Sequence, residues 1–449
     1  MVSESAAEAN LQKVQSKACK IRPIRRSHLL KIVETKSMNE SIKEFIADLK
    51  LGEKTLPHRN PSVAWVWVFF PAAAAYLALL MHILNAKPFL GSIEVYEAAF
   101  EKIAAAKYPI QVIATDNEFT EGPLWIDNDD SSPFLLYSDI KQNKIFRWEE
   151  GKGFFTVGKT MFIDKSGCKQ DDMAYCNSLA LPGSNGLARV ISPNDPSSID
   201  LVACQHGERA VILQRENGTR TAIATHYRGT RFNSPNDLAF SAEGHLYFTD
   251  PTYGLHKKSE SASAIKGRVL DESLQEQPHS GLYMIHFSEV AKALETGVPA
   301  ANVFLIDAKM SHPNGLAFSP GYSKLYVSNS DETNAYWKVY DVNTKGLATK
   351  GKVFYNVTDQ YLSNNTGGSE TFGVPDGLKV DQNGNLFATG PGGVLVLSPE
   401  AQLLGRLRTD RAVTNVAFAT DGYLYMTAQD LVLRKWISTK GAKLPTQKA

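Results

Sequence analysis

The sequence predicts an all-β protein, a six-bladed β-propeller, preceded by a single N-terminal transmembrane helix. Two observations predict the propeller: a short turn-strand-turn-strand unit occurs six times, and strand-like runs fill the chain from Tyr108 onward. A long uncharged segment before that point predicts the membrane helix. The predicted parts are, in order, an N-terminal segment, the membrane helix, a linker helix, the propeller and a C-terminal tail: residues 1–61, 62–84, 85–107, 108–438 and 439–449.

The membrane helix is predicted because no Asp, Glu, Lys or Arg occurs between Arg59 and Lys87. A bilayer takes roughly 20 apolar residues to cross, and a buried core helix is the alternative. Residues 1–59 carry eight Lys and four Arg against seven acidic residues, whereas residues 85–109 carry three Lys and three Glu. The positive-inside tendency therefore predicts a single-pass membrane protein with a cytosolic N-terminus and a luminal or extracellular propeller in the secretory pathway.

Composition excludes some classes of function. The formal net charge of +1 over 449 residues gives no reason to expect a nucleic-acid partner, and 43% apolar residues suffice for a large core. The four cysteines have no zinc-site spacing; Cys168 and Cys176 could pair in an oxidising compartment or remain free thiols. Of the glycosylation triplets at Asn39, Asn217, Asn356 and Asn364, three lie after the predicted membrane helix, as expected for a luminal glycoprotein.

After the membrane helix, Glu94–Lys107 is Ala-rich and predicts a short linker helix. Residues 288–296 form the only helical stretch predicted within the propeller. The run at residues 109–114 is well placed to complete the last blade and close the ring. Each of the six copies begins with an oxygen-bearing side chain just before its inner strand. In order these residues are Glu121, Asn185, Asn236, Asn314, Asp376 and Asn415.

In a propeller, residues that open the inner strands crowd around the central axis at one face. Carboxylate and amide oxygens without His or Cys suit Ca²⁺, whereas zinc prefers nitrogen or sulfur. The other explanation is that Asn and Asp before Gly form turns through hydrogen bonds to their own backbone. Glu121 is poorly explained by turn chemistry, and the shared position of all six residues favours a site.

Several stretches resemble the gluconolactonase/SMP-30 (regucalcin-like) family of six-bladed propellers. They are EGPLW, NSPNDLAFSAEGHLYFTDPTYG, HPNGLAFSP, LYVSNSD and VPDGLKVDQNGNLFATGPGGVLVLSPE, in order and at the expected repeat positions. The resemblance covers residues 119–437. It implies one catalytic divalent ion on the axis, usually Ca²⁺ though Mg²⁺, Mn²⁺ or Zn²⁺ are alternatives, and hydrolysis of a sugar lactone or related ester. Carried over by motif, the metal ligands would be Glu121, Asn236, Asn314 and Asp376.

The same resemblance suggests a mechanism and a small-molecule lactone or ester as partner. A divalent ion would polarise the carbonyl, and Asp376 is the candidate to orient or deprotonate the attacking water, unless the metal activates the water directly. Candidate substrate contacts are Arg231, Asn233, Tyr253, Asp331 and His206. Arg231 could instead be a surface ion-pair partner, and a structural, hydrogen-bonded role is favoured for His206.

Three features depart from the family pattern. Arg231–Asp237 (RFNSPND) offers two asparagines, so Asn233 could replace Asn236 as ligand, although the repeat alignment favours Asn236. An insertion at residues 160–178 could cap the active face. A membrane anchor is unusual in the family and keeps a strictosidine-synthase-like branch open. The alternatives are therefore a non-catalytic binding propeller with a structural metal, and an esterase acting on organophosphate-type substrates.

Overall fold

The computed structural model describes residues 90–448 except for 129–130, 152–157, 170–172, 192–196, 262–266, 365–372, 410 and 444–446. The predicted N-terminal segment 1–61 and membrane helix 62–84 lie outside the described residues. Within the described residues, none of the helices has both the length and the apolarity needed to cross a bilayer. The described part of the chain consists of the propeller, the end of the linker before it and part of the C-terminal tail.

Six sheets, each with four antiparallel strands and two of them with a fifth strand added, form the blades, which confirms the predicted all-β, six-bladed propeller. Each blade begins with its inner strand, and the next strands pair outward in chain order. Blade 1 contains Thr120–Asn128, Ser131–Asp139, Lys144–Trp148 and Lys159–Asp164. Blade 2 contains Ser184–Ile191, Asp200–Gln205, Ala210–Gln214 and Arg220–Ala224. Blade 3 contains Leu238–Phe240, Leu246–Asp250, Gly281–Ile285 and Val303–Asp307.

The second half of the ring repeats this plan. Blade 4 contains Pro313–Phe318, Lys324–Asp331, Asn334–Val342 and Ala348–Asn356. Blade 5 contains Leu378–Val380, Leu386–Gly390, Gly393–Leu397 and Leu403–Arg408. Blade 6 contains Asn415–Phe418, Tyr423–Ala428, Leu431–Trp436 and, as its outermost strand, Gln111–Ala114. This last strand pairs antiparallel with Leu431–Trp436, so the prediction that residues 109–114 complete the final blade is confirmed.

The linker before the propeller differs from its prediction. Ser92–Val95 is a fifth strand on the outer edge of blade 5, and the helix expected over residues 94–107 is shortened to Ala98–Ile103. The reason is tertiary: Glu94 forms ion pairs with Arg406 and Arg408 of the neighbouring strand. The short helix is attached through Phe100, which is fully buried in the core of blades 5 and 6.

Short elements lie in the connections between strands. The predicted helix at residues 288–296 is present as Phe287–Thr296 and ends at Gly297 in the left-handed conformation. The prediction of a single helical stretch in the propeller is wrong, because Met173–Ser178 and Thr358–Asn364 are also helical. The remaining elements are the hairpins His226–Tyr227/Thr230–Arg231 and His256–Lys258/Arg268–Leu270, the 3₁₀ turns Tyr253–Leu255, Glu272–Leu274 and Pro320–Tyr322, and the strand Gln447–Lys448 beside blade 2.

The hydrophobic core lies between the faces of successive blades. Between blades 2 and 3, for example, Val202 and Leu213 share one buried cluster with Phe240 and Phe248. The alternation along each strand gives every blade two apolar faces, so each sheet needs a neighbour on both sides. Only a closed ring meets this need for all six blades.

A ring of hydrogen bonds around the axis, hereafter the inner ring, links each blade to the next. In four of the six links, a Ser or Thr hydroxyl on the second strand of one blade donates to a backbone carbonyl that opens the next blade. These are Ser138 to Asn185 (2.8 Å), Thr249 to Asn314 (2.7 Å), Ser328 to Asp376 (2.6 Å) and Thr389 to Thr414 (3.2 Å). The Gly186 amide donates to the Asn236 carbonyl (2.8 Å), and the Thr414 hydroxyl donates to the Thr120 carbonyl (2.8 Å), which closes the circle.

We expect Thr249→Val to lower the free energy of unfolding by about 1–3 kcal/mol, because the isosteric change leaves the buried Asn314 carbonyl without its donor. Urea denaturation measures the loss. The matched control is Thr349→Val, which changes an exposed hydroxyl on the outer strand of blade 4. Equal stabilities of the two variants would contradict an energetic role for the inner ring.

Candidate metal centre at the propeller axis

The six residues that open the inner strands, hereafter the donor ring, are placed by the blades around one end of the axis. Five of them are almost completely buried and the sixth, Asp376, is half-buried. The predicted ligands Glu121, Asn314 and Asp376 are brought together, since Glu121 and Asn314 both lie close enough to the Asp376 carboxyl to shift its pKa. The two carboxyl groups come from blades 1 and 5, which are far apart in sequence.

Glu121 is fixed by two donors on one oxygen. The Gly122 amide and the Asn415 Nδ2 atom donate to its Oε2 at 2.7 and 3.0 Å. Asn415 is itself held, because its Oδ1 accepts from the Val416 amide. Asn415 therefore acts in the donor ring as a positioning residue for Glu121, and its Oδ1 atom already accepts a hydrogen bond.

Burial and mutual repulsion make the carboxyl groups of the donor ring reluctant to ionise. Burial, aided by the charge of Asp237, raises the pKa of Glu121 to about 7. Burial, followed by the charge of Glu121, raises the pKa of Asp376 well above its ordinary value. A bound cation would stabilise both ionised carboxylates and so offset burial and repulsion, which means that the electrostatics of the site favour a cation.

Three side-chain oxygens of the donor ring are buried without a hydrogen-bond partner: Asn185 Oδ1, Asn236 Oδ1 and Asp376 Oδ1. Unsatisfied buried acceptors are costly, and a cation coordinated by oxygens would satisfy them together. In the described part of the chain, no group of three or more His, Cys, Asp or Glu side chains has metal-binding geometry. An ion would thus depend on amide oxygens as well as carboxylates, and the residues present fit one.

Glycine is required after several donor residues for a reason other than turn formation. Gly186, Gly315 and Gly377 are absent from the positive-φ residues, so the left-handed geometry of a turn does not require them. A Cβ atom at Gly186 would instead collide with the backbone and side chain of Asp237 in the next blade, and one at Gly377 with the side chain of Asn415. These glycines let neighbouring inner strands approach closely.

The two asparagines of blade 3 have different surroundings. The Asn233 Nδ2 atom donates to the Asp250 and His279 carbonyls at 3.3 and 2.9 Å, within its own blade. The Asn236 carbonyl accepts from Gly186 of blade 2, which places Asn236 in the inner ring. Both keep an unpartnered Oδ1. The position of Asn236 favours it as the ligand.

Asp237 belongs to the site and was not among the predicted residues. It is 4% exposed; its Oδ1 accepts from the Leu238 amide at 2.8 Å, and its Oδ2 is unpartnered. Its charge raises the pKa of both Glu121 and Asp376. The acid that follows Asn236 in Ser-Pro-Asn-Asp was the available signal. Asn185, recognised as a donor residue but not as a ligand, also offers a free oxygen.

Tyr253 reaches the donor ring from the loop after blade 3's second strand. Its side chain lies close to Ser330 and Asn314, and burial together with the charge of Asp376 raises its pKa. Its ring stacks on His312 with centroids 5.7 Å apart. Asp331 lies near His312 and is held by the Ser311 hydroxyl at 2.6 Å. Tyr253 and Asp331 thus lie beside the ligands.

The other two predicted substrate contacts have different partners. Arg231 donates to the Glu208 carbonyl at 2.8 Å, and its backbone amide bonds Glu276. Among the described contacts, none joins Arg231 to the donor ring. His206 is fully buried, and neither ring nitrogen has a hydrogen-bond partner of good geometry. Burial lowers the pKa of His206 to about 4, aided by Arg268 and His256 and only partly offset by the Leu181 carbonyl.

The insertion at residues 160–178 is partly ordinary blade. Lys159–Asp164 is the outer strand of blade 1, so only the remainder is an added loop. A disulfide joins Cys168 to Cys176, resolving the open alternative for this pair. The Ala180 amide donates to the His256 carbonyl at 2.8 Å, which attaches the loop to the connection that carries Tyr253.

Comparison with known proteins agrees with this architecture. A family model described as the SMP-30/gluconolactonase/LRE-like region matches residues 119–430. A gluconolactonase of Zymomonas mobilis is 32% identical over 356 residues, which cover 78% of this chain and 88% of that protein. A lactonohydrolase of Aspergillus oryzae is 27% identical over 218 residues, or 45% of this chain and 43% of that one. The crystal structure of a gluconolactonase from Xanthomonas campestris covers 79% of this chain and 98% of its own at 23% identity, with a TM-score of 0.57, and shares the fold.

We expect Asn236→Ala to weaken Ca²⁺ binding by about tenfold or more, since changes one step beyond a ligand already cost about 10- to 100-fold. Asn233→Ala should instead lower the melting temperature, because it removes the bonds to the Asp250 and His279 carbonyls, and should leave Ca²⁺ affinity close to wild type. Calorimetric titration of metal-depleted protein measures both. The opposite pattern would make Asn233 the ligand.

His206 predicts a pH dependence of stability. The unfolded chain binds a proton at this residue below the ordinary pKa of 6.5, whereas the folded protein does so only near 4. A contribution on the order of 3 kcal/mol is therefore lost as pH falls from 6.5 toward 4. Urea denaturation across this range should show a shallower pH dependence for His206→Gln than for wild type. The exposed His226→Gln is the control, and identical slopes in all three proteins would contradict the prediction.

Proposed function

Because this chain belongs to the SMP-30/gluconolactonase/LRE-like family, we propose that it is a divalent-metal-dependent hydrolase that opens a sugar lactone or a related ester. The observation that carries the proposal is the donor ring: unpartnered buried oxygens from several blades converge beside two carboxyl groups that resist ionisation. Relatives named gluconolactonase and lactonohydrolase support lactone hydrolysis as the reaction.

The residues that would hold the cation are Glu121, Asn236, Asn314 and Asp376, with Asn185 Oδ1 as a further oxygen. An all-oxygen set with two or three carboxylates nearby favours Ca²⁺, with Mg²⁺ or Mn²⁺ next and Zn²⁺ last. When bound, the cation would supply Lewis-acid polarisation of the lactone carbonyl.

The chain's own groups then provide position and proton transfer. Asp376 has an unpartnered oxygen that can accept a hydrogen bond, and finally a proton, from the attacking water. Asn314 and Tyr253 form the side of the site next to Asp376. The Nδ2 atom of Asn314 donates to Ser330 Oγ at 3.0 Å, which fixes the orientation of this side chain. Tyr253, with its stacked partner His312, presents an aromatic wall and a hydroxyl suited to a sugar ring.

Of the five predicted substrate contacts, Tyr253 and Asp331 remain candidates, because they lie beside the donor ring. The hydrogen bonds of Asn233 and the complete burial of His206 favour a structural role for each, and Arg231 lies in a separate cleft over blade 2. A substrate would therefore be held mainly by the loops that carry Tyr253 and Asp331.

Asp376→Asn should reduce the kcat for glucono-δ-lactone hydrolysis by about 100-fold or more, because it removes the proton acceptor and one ligand charge. Asp341→Asn, at an exposed position on the third strand of blade 4, is the matched control and should keep full activity. A pH-indicator assay follows turnover, and circular dichroism confirms the fold of each variant. Chelation should abolish the activity and added Ca²⁺ should restore it.

Three results would overturn this function. Undiminished hydrolysis by Asp376→Asn, or by exhaustively chelated protein, would exclude the proposed centre. Turnover of an organophosphate ester but of no lactone would assign the same centre to the esterase alternative. A fold that collapses on chelation, with no turnover of any lactone or ester, would indicate a binding propeller with a structural ion.

We further propose that residues 62–84 anchor the protein with its propeller in the lumen or outside the cell. The uncharged run and its flanking charges support the anchor, and the Cys168–Cys176 disulfide supports an oxidising compartment.

This topology predicts sugar on the propeller. Asn217 is exposed in a turn of blade 2, so Asn217→Gln should abolish one endoglycosidase-sensitive shift on a gel. Asn39→Gln is the matched control and should change nothing, because its triplet precedes the anchor. Glycosylation at Asn39 alone would reverse the orientation, and a protein that alkaline carbonate washes from membranes would not be anchored.

A further inference from the structure

A second cleft opens over blade 2, at the same end of the blade as the donor ring. Gln205, which lines it, pairs across the sheet with Ser184, the residue before Asn185. The cleft has a volume of about 410 Å³, within the range of small-molecule sites. Its floor is formed by Ala210, Ile212 and Ala222 on one face of the blade.

The walls of the cleft carry an excess of positive charge. Among the residues that the structure describes, Lys169, Arg220 and Arg231 line it together with a single acidic residue, Glu208. One carboxylate oxygen of Glu208 is already occupied by the Lys169 amide at 2.7 Å. The cleft therefore suits an anion better than a neutral or cationic molecule.

The two arginines are held in place before any ligand arrives. Arg220 donates through Nε to Gln214 at 2.6 Å and through Nη2 to the Lys165 carbonyl at 2.5 Å. Arg231 donates through Nη2 to the Glu208 carbonyl at 2.8 Å. Fixed guanidinium groups lose little entropy when they bind a carboxylate or phosphate.

Two buried polar atoms of the lining residues lack partners, and they are of opposite kinds. Arg220 Nη1 is a charged donor, and Gln205 Oε1 is a neutral acceptor on a side chain that is fully buried. Gln205 is oriented by its amide nitrogen, which donates to the Ser166 carbonyl. A simple anion would satisfy Arg220 but would face the Gln205 oxygen with its own lone pairs. A neutral sugar would satisfy Gln205 and leave the cations unpaired.

From this combination we propose that the cleft binds an anionic, hydroxyl-rich small molecule, whose carboxylate or phosphate lies against Arg220 and whose hydroxyl donates to Gln205. A sugar acid and a sugar phosphate both have this chemistry. The proposal goes beyond the hydrolase function and does not depend on it, because no residue of the donor ring lines the cleft.

The test is calorimetric titration of the full chain carrying Asp376→Asn, in the presence of a chelator, so that binding at the axial centre is suppressed. The ligands are gluconate, glucose 6-phosphate, glucose and inorganic phosphate. Binding of gluconate, of glucose 6-phosphate or of both, about tenfold or more tighter than glucose and inorganic phosphate, is the expected result and identifies the source of the anion. No binding of either, or equal binding of inorganic phosphate, would overturn the proposal.

Variants locate the binding. Arg220→Gln and Lys169→Glu should each weaken it by about tenfold or more, as expected for loss of a charge-assisted bond. Arg220 also supports the blade through its other bonds, whereas the Lys169 side chain is exposed, so Lys169→Glu remains informative if Arg220→Gln unfolds. Lys352→Gln, in a cleft between blades 4 and 5, is the matched control. Affinity that is unchanged in both cleft variants, or that falls equally in Lys352→Gln, would overturn the assignment.

Because the titrations use a chain without Asp376, they separate the two proposals. Anion binding that persists there while lactone hydrolysis is absent from wild type would leave the cleft assignment standing and remove the hydrolase. Lactone hydrolysis by wild type, with no anion binding in the titrations, would leave the hydrolase standing and remove the cleft assignment.

Discussion

Close approach of six inner strands around one axis is the constraint on which the rest of this structure depends. Each blade exposes two apolar faces, and only closure of the ring covers them all. At the axis the strands come near enough for a hydroxyl of one blade to reach the backbone carbonyl of the next, as Thr249 reaches Asn314. Gly186 and Gly377 keep that approach sterically open. The same close approach of the inner strands therefore closes the ring and brings polar groups of different blades together at the axis.

The donor ring follows from this approach and is costly for the fold. Side chains that open the inner strands point toward the axis, where Glu121 and Asp237 are buried and the half-buried Asp376 lies close to both. A stable core would use apolar residues at these positions, because buried like charges and unpartnered oxygens destabilise it. Local violation of the rules of folding is typical of functional sites, and here a cation would relieve all of the violations at once.

The sequence was most informative where the repeat itself carried the information. Period and turn residues predicted the six blades and the strand at residues 109–114 that completes the last one, and the shared repeat position predicted that Glu121 and Asp376 lie at one end of the axis. Features that depend on contacts between blades could not be predicted from the sequence. The Gly186 position is explained by Asp237 of another blade, and the linker helix is short because Glu94 pairs with Arg406. Arg231 has a favourable motif position, but the hairpin that carries it turns it toward Glu208.

The strand that completes blade 6 also sets the order of events during synthesis. Gln111 and its partner Arg434 are 323 residues apart in the chain, and they join in the last blade through a side-chain bond at 2.8 Å. The strand Gln111–Ala114 leaves the ribosome before any of the six inner strands, and it must therefore wait, with an open edge, until almost the whole chain has been translated. Blades 1 to 5 can assemble as the chain emerges, but the axis cannot close before residues 431–436 arrive. The donor ring, which needs Asn415 of blade 6 beside Glu121 of blade 1, is consequently among the last parts of the molecule to form.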